Sequence, residues 1–234
     1  METNDKQIQA ELTSHIGRLL RDAFGKGPQS IFVSINRPFV IIYLRNFLSP
    51  TEKILLKQDQ VYAIQTTRDL LMKSLFPEMK AYILLLTGMN IQEFYYDWGL
   101  HNQSGVMVGI DSEEDHPFST NVHGTYAGQE ELHQEIDLIS HNVEKKPEKT
   151  YSYKINERTI LVMRIGILIS IEKELIRIGQ EETLKLAKRN LEKGHLHRNN
   201  RFQKILHAGV VDAFVDWDFH LDKSIIVLIL HPSP

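Results

Sequence analysis

Two aspartates held between aromatic residues, a pair of histidines one residue apart and a glycine-rich tetrapeptide are where this 234-residue chain could do chemistry. Asp97 lies between Tyr96 and Trp98, and Asp218 between Trp217 and Phe219. Each falls in a strand-like run leading into a hairpin, where a carboxylate is unfavourable by propensity and needs compensation. A cation in a ligand or partner site would supply it. So would a hydrogen bond to the hairpin backbone, which short carboxylates beside turns commonly make, and this is the favoured reading. Arg68, matched by Lys188 in the second half, sits on a predicted helix that could present a cation to such an acid. The tetrapeptide Gly25-Lys26-Gly27-Pro28 has the composition of a phosphate-cradling loop. Such loops need a strand before the glycines and a helix after them, so that helix N-terminal amides meet the anion. Here the order is reversed, and a helix stop is the better reading.

His195 and His197 could share a metal if their segment were extended. No carboxylate lies beside them in sequence, and Gly194-His195-Leu196-His197-Arg198 reads as a basic interhelical loop. No metal is therefore assigned, and these two are the only candidates. No cofactor fingerprint and no catalytic constellation is legible: there is no Gly-x-Ser-x-Gly elbow, His-Glu-x-x-His or dinucleotide motif. Cysteine is absent, which removes disulfides, thiolate metal sites and cysteine nucleophiles together. A net charge of −3 argues against a nucleic-acid partner. No apolar run approaches the roughly 18 residues that span a bilayer. The acidic, polar N-terminus argues against a signal peptide, so a cytoplasmic location is expected. A homo-oligomer is compatible with the sequence.

The elements that would carry these residues occur twice. Residues from about 10 to 110 reappear from about 130 to 230. At an offset of 120, Glu11-Leu12 meets Glu131-Leu132, Leu48 meets Leu168 and Glu52-Lys53 meets Glu172-Lys173. An insertion near Lys204 is expected to change the offset to 121, which would match Gly88 with Gly209 and Asp97 with Asp218. In the first half, Ile8, Leu12, Ile16, Leu19, Leu20 and Phe24 form one helical stripe. Ser30–Asn36 and Phe39–Leu48 follow as strands, the second apolar at nearly every position and so covered on both faces. Ser49-Pro50-Thr51-Glu52 combines a serine N-cap, a first-turn proline and a glutamate that closes a capping box. A long helix should follow with Val61, Ile64, Leu71 and Leu75 inward, broken or restarted at Pro77 and ending near Gly88. Ile91–Trp98 and Val106–Ile110 make a hairpin. The fold class is α+β: two tandem α-β-β-α-(α)-β-β modules, each a mainly antiparallel four-stranded sheet with helices on one face. The first spans residues 1–111 and the second 130–234, with a polar linker at 112–129.

Gly25-Lys26-Gly27-Pro28, Leu48-Ser49-Pro50-Thr51-Glu52-Lys53, Arg68, Leu86-Thr87-Gly88 and Asp97, in that order and spacing, resemble a small bacterial family. It is the MpsC component of a Na+-translocating, membrane-potential-generating system. The resemblance covers roughly residues 5–112, and the second half resembles a diverged copy without the glycine-proline loop or the Thr-Gly pair. It implies a soluble protein linked to a membrane ion-translocating system; with the duplicated fold and the missing catalytic motifs, the leading expectation is a non-catalytic accessory or regulatory module that binds a protein partner or a small ligand. The resemblance also implies that Gly25, Gly27, Pro28, Thr87 and Gly88 form the motif loops, in structural roles. Arg68, Asp97 and Asp218 are the candidate binding residues. Two other readings stay open: a small-molecule sensor with its site between the modules, and a metal-dependent enzyme using His195 and His197.

Overall fold

The computed structural model describes residues 2–111 and 124–231. The chain divides into two compact units, Met1–Pro117 and Phe118–Pro234. Of the expected linker, residues 112–123 lie outside the described residues, and Gln129 is already the first residue of a helix.

In the first unit the order is α1 (Glu2–Phe24), β1 (Ser30–Asn36), β2 (Phe39–Arg45), α2 (Pro50–Lys57), α3 (Val61–Thr87), β3 (Ile91–Gly99) and β4 (Ser104–Asp111). The second unit repeats it with α4 (Gln129–Val143), β5 (Lys149–Asn156), β6 (Thr159–Ile165), α5 (Ser170–Arg177), α6 (Glu181–Arg198), α7 (Arg201–Leu206), β7 (Val210–Asp218) and β8 (Lys223–Leu230). Each unit holds one four-stranded antiparallel sheet, ordered β1-β2-β4-β3 and β5-β6-β8-β7. The two hairpins of a unit join through their second strands, which puts the most apolar strand of each hairpin at the centre. All eight residues of β4 and of β8 are buried, as are the first six of β2.

The helix-side core of the first unit gathers Leu12, Ile16 and Leu20 of α1, Val40, Ile42 and Leu44 of β2, and Ile64, Met72, Met79 and Ile83 of α3. The α1 stripe is as the apolar spacing predicts. On α3 it is not: Val61 is exposed, and the inward line runs Ile64, Arg68, Met72, Met79, Ile83. A charged residue in that line hides it from a reading based on apolar residues alone. The second core is built in the same way from Leu132, Ile136 and Ile139, Ile160 and Val162, Leu196, Phe202 and the strands β7 and β8.

The capping box at α2 forms as predicted, with Glu52 N donating to Ser49 Oγ and Ser49 N donating to Glu52 Oε2 at 2.7 Å. The helix it starts is short, because Gln58-Asp59-Gln60 interrupts it with Asp59 at φ +55° before α3 begins. Pro77 neither breaks nor restarts α3, which runs without interruption through it. Pro77 is exposed, so the carbonyl one turn before it, deprived of an amide donor, lies on the side that water can reach. The break comes instead in the second unit, which has no proline there. Asn199 ends α6, its Oδ1 accepts from Arg201 N, and its Nδ2 donates to Glu135 Oε1 of α4 at 2.6 Å. Arg201 pairs with the other oxygen of Glu135 at 2.7 Å.

The strand registers also correct the expected offset. Both third strands carry a bulge one step in, between Ile91 and Glu93 and between Val210 and Asp212. Asp97 then stands opposite Val106, and Asp216 opposite Ile225. From the end of the long helices onward the repeat is therefore 119 residues, not 121. Asp97 corresponds to Asp216, Trp98 to Trp217, and Asp218 to Gly99. Gly88 corresponds to His207, since each holds the left-handed conformation after its helix (φ +72° and +50°), and not to Gly209.

Candidate functional site

The helix after the short α2 or α5 turns a cation inward at the same position in both units. Arg68 of α3 is fully buried, donating from Nε to Glu52 Oε1 at 2.7 Å, from Nη2 to Glu52 Oε2 at 2.9 Å, and from Nη2 to the Phe47 carbonyl at 2.8 Å. Aromatic faces enclose its guanidinium, with Trp98 at 4.5 Å, Phe47 at 4.8 Å and Phe24 at 5.6 Å. The glutamate that closes the capping box is thus also the counter-ion of the core, which fixes α2 against α3. Burial pushes the Glu52 carboxyl up, but the Arg68 hydrogen bonds and charge, with those of Ser49, pull harder and leave it below its ordinary range. Arg68 thus pairs with Glu52, whereas the sequence offers Asp97 as one possible partner.

Asp97 itself is fully buried, and its Oδ1 accepts from the Trp98 amide at 2.7 Å. Gly105 opposite makes room for the indole: a Cβ there would come within 2.4 Å of the Trp98 ring. The remaining motif positions are helix stops. Gly25 follows α1 at φ +70°, and Gly88 ends α3 at φ +72° with its amide on the Leu84 carbonyl. Thr87 Oγ1 bridges from the Ile83 carbonyl to the Met89 amide, and Arg37 holds the Thr87 carbonyl. Gly27 packs beside the Gly17 carbonyl and Arg21, leading into Pro28 and β1.

In the second unit the same framework carries a much larger polar interior. Lys188, in the place of Arg68, sits at 2.6 Å from both Glu172 and Glu144. Arg164, the penultimate residue of β6, is completely buried and forms a two-point pair with Glu192 of α6, also completely buried. Its other donors reach Ser224 Oγ at 2.8 Å and Ser140 Oγ at 2.7 Å. Asp216 pairs with Lys185 at 2.7 Å and stands 3.7 Å from Arg189. A helix cation facing a strand aspartate does exist, but in this unit and on Lys185. Burial and the neighbouring Glu192 charge push the Glu144 carboxyl above its ordinary range, against the pull of Lys188 and Arg164. This interior is an ion network.

Sequence reasoning missed Arg164, Glu192, Glu144, Lys185 and Asp216. The signal was available in the repeat: Leu20, Phe24, Leu44, Met72 and Gly105 of the first unit become Ser140, Glu144, Arg164, Glu192 and Ser224 of the second. Five apolar or glycine positions turn polar together, with charges that can neutralise one another.

Beside this network a cleft of about 160 Å³ is lined by Glu181, Glu182, Lys185, Trp217, Asp218, Phe219 and His220. Asp218 is one of its walls, but the Asp218 carboxylate is occupied in a turn, accepting from His220 N at 3.0 Å and Leu221 N at 3.1 Å. Thus Arg68 and Asp97 lie in the first unit and Asp218 in the second. His195 and His197 are on α6, not in a loop. Both are exposed, and residues two apart on a helix point to different sides, so the pair cannot chelate as an extended segment would. His197 instead approaches the buried Asp212 at 4.0 Å.

Residues 4–112 and again residues 128–232 match MpsC, described as "Na+-translocating membrane potential-generating system (MpsC)". The chain is also similar to the uncharacterized protein YbcI of Bacillus subtilis (strain 168), with 28% identity over 109 residues, covering 46% of this chain and 88% of that protein. No solved structure matches.

Proposed function

The chain belongs to the MpsC family twice over, and from that premise we propose that it is an accessory or regulatory component of a membrane ion-translocating system, acting through a protein partner. The observation that carries this reading is the second match: both halves match the family, and they share one fold and a buried cation–glutamate lock, Arg68 with Glu52 and Lys188 with Glu172. Among the described residues no helix is long and apolar enough to cross a membrane, so in this reading the ion path belongs to the partner. Deleting the gene in its host and following Na+-dependent membrane potential with a voltage-sensitive dye tests it. Loss of the Na+-dependent component, restored by the gene, is expected. An unchanged potential would remove the link to ion translocation.

A second reading, a small-molecule sensor, is favoured by the cleft at Lys185, Trp217 and Asp218. Its polar walls and aromatic floor suit a compact ligand carrying both charge and a flat apolar part. A thermal-shift screen of metabolites against the intact chain tests this, with Lys185→Ala expected to abolish any shift that an anionic ligand produces at the cleft.

A further inference from the structure

Ser152, on β5, is buried, and three side chains converge on its hydroxyl. His133 of α4 places Nε2 at 2.7 Å from Ser152 Oγ, and the Tyr126 hydroxyl lies at 2.6 Å. The Gln129 amide donates to the Ser152 carbonyl at 3.0 Å and reaches Oγ at 3.4 Å. Asp137 follows His133 by one helical turn, on the same face, and is held by Thr150 Oγ1 at 2.6 Å and Lys146 at 3.5 Å. By strand register Ser152 corresponds to Val33, and by helix position His133 and Asp137 correspond to Thr13 and Gly17, so nothing of the kind exists in the first unit. From this geometry we propose that Ser152 is an activated nucleophile, with His133 as its base, that accepts the acyl group of a small ester.

The arrangement has the parts such chemistry needs. Burial depresses the His133 imidazole, against the opposing charges of Asp137 and Glu130, so the ring is neutral and its Nε2 lone pair can face the serine proton. Burial raises Tyr126 to about 12, against its hydrogen bond with Ser152, so the phenol keeps its proton and donates it toward the serine oxygen. The proton order is then Tyr126 O–H to Ser152 O–H to His133 Nε2. In the reaction, Ser152 Oγ bonds to the ester carbonyl carbon while its proton passes to His133 Nε2. The carbonyl oxygen takes up the negative charge, within reach of the Tyr126 and Gln129 donors, which are released from the serine as it is consumed. The carbon–oxygen bond to the leaving alcohol then breaks, and that alcohol takes the proton from His133. Asp137 favours the transient imidazolium electrostatically, as a positioning residue. This inference goes beyond the accessory role and stands independently of it, since it concerns one unit's own chemistry.

Treatment of the intact chain with p-nitrophenyl acetate, followed by peptide mass spectrometry, tests the proposal. One acetyl group should appear on Ser152, matched by release of one equivalent of p-nitrophenolate. His133→Gln keeps a hydrogen-bonding group beside the serine but no base, and labelling should slow by about 100-fold or more with the circular dichroism unchanged. Ser152→Ala should abolish the label, and Tyr126→Phe should slow it while leaving the site of labelling unchanged. If wild-type Ser152 stays unmodified, or if His133→Gln labels as fast as wild type, the cluster is a structural hydrogen-bond hub and the proposal fails.

Discussion

The two units share one fold and solve the same packing problem in opposite ways. Where the first buries Leu44 and Met72 in its apolar core, the second pairs Arg164 with Glu192 at the equivalent positions of strand and helix. Where α1 delivers Leu20 and Phe24, α4 delivers Ser140 and Glu144. In the first unit one buried cation is enclosed by Phe24, Phe47 and Trp98 and neutralised by a single glutamate. In the second, Lys188 gives up the planar two-point contact of an arginine and takes two carboxylates in its place. Substituting charge for hydrocarbon at a fixed backbone is rarely favourable for stability, because desolvation tends to exceed the Coulombic return. The second unit keeps the backbone order while giving up core hydrophobicity.

The comparison breaks most sharply at Arg164 and Glu192. Glu192→Ala leaves a buried guanidinium without its carboxylate and should cost about 3–5 kcal/mol of unfolding free energy. The double variant Arg164→Leu with Glu192→Met installs the first unit's pair and should recover most of that loss, or exceed wild-type stability. Urea unfolding read from Trp217 fluorescence in a Trp98→Phe background reports on this unit alone, since the chain has 2 tryptophans, one in each unit. A double variant as unstable as the single one would show that the two cores differ in more than the residues exchanged.

Arg68→Lys sharpens the same point from the other side. It places the second unit's cation in the first unit without the second carboxylate, where Phe24 stands in place of Glu144. The two-point pair, the Phe47 carbonyl bond and the ring stacking all weaken, and a loss of about 1.5–3 kcal/mol is expected by the same urea titration, read from Trp98. A neutral result would mean that the aromatic enclosure contributes little.

The pH response should separate the units by sign. Glu52 is depressed in the folded state below its ordinary 4.5, so its stabilising contribution is present above that value and lost as pH falls through the depressed one. Glu144 is raised above 4.5, so its contribution is complete below 4.5 and lost as pH rises through the elevated value. Acidification from neutral pH should weaken the first unit while relieving the second. Glu52→Gln should flatten the acid limb of the Trp98 transition, and Glu144→Gln the limb above pH 4.5 of the Trp217 transition. Transitions that move in parallel would contradict the opposed shifts.

What could be read from the sequence follows from how far apart the interacting residues lie. The capping box spans three residues, the α1 stripe follows a regular period, and the strand runs are continuous, so each was legible locally. The duplication was legible because those local patterns recur in order. The register beyond the long helix was not, because identities at Gly209 and Asp218 suggested an insertion, whereas the bulges that set the strand register leave no mark in composition. Arg164 and Glu192 are 28 residues apart, and Arg164 and Ser224 are 60 apart. A charged residue within Ile160–Ile165 looks like a surface position unless its partner is known. Ser152 and His133 were hidden for the same reason, since a nucleophile and its base need only meet in space.

The smallest expected effect decides which acid is the true counterpart of Asp97. Asp97 and Asp216 are buried at the same step of their strands, while Asp218 is half-buried two residues further on and serves a turn. Asparagine at position 97 or 216 keeps the shape but removes the charge that its surroundings are arranged around. A loss of about 1–3 kcal/mol is expected at each. At Asp216 the loss includes the penalty of leaving Lys185 and Arg189 without their anion. Asp218→Asn still offers an oxygen to the amides of His220 and Leu221, with solvent close by, and should change stability by no more than about 0.5 kcal/mol. The same variant bears on the cleft, because Asp218 is one of its walls. A cationic metabolite that binds there should lose its thermal shift in Asp218→Asn while the unliganded melting temperature stays put. If Asp218→Asn instead destabilises the chain as much as Asp97→Asn, the 119-residue correspondence drawn from the bulges is wrong and the 121-residue one returns.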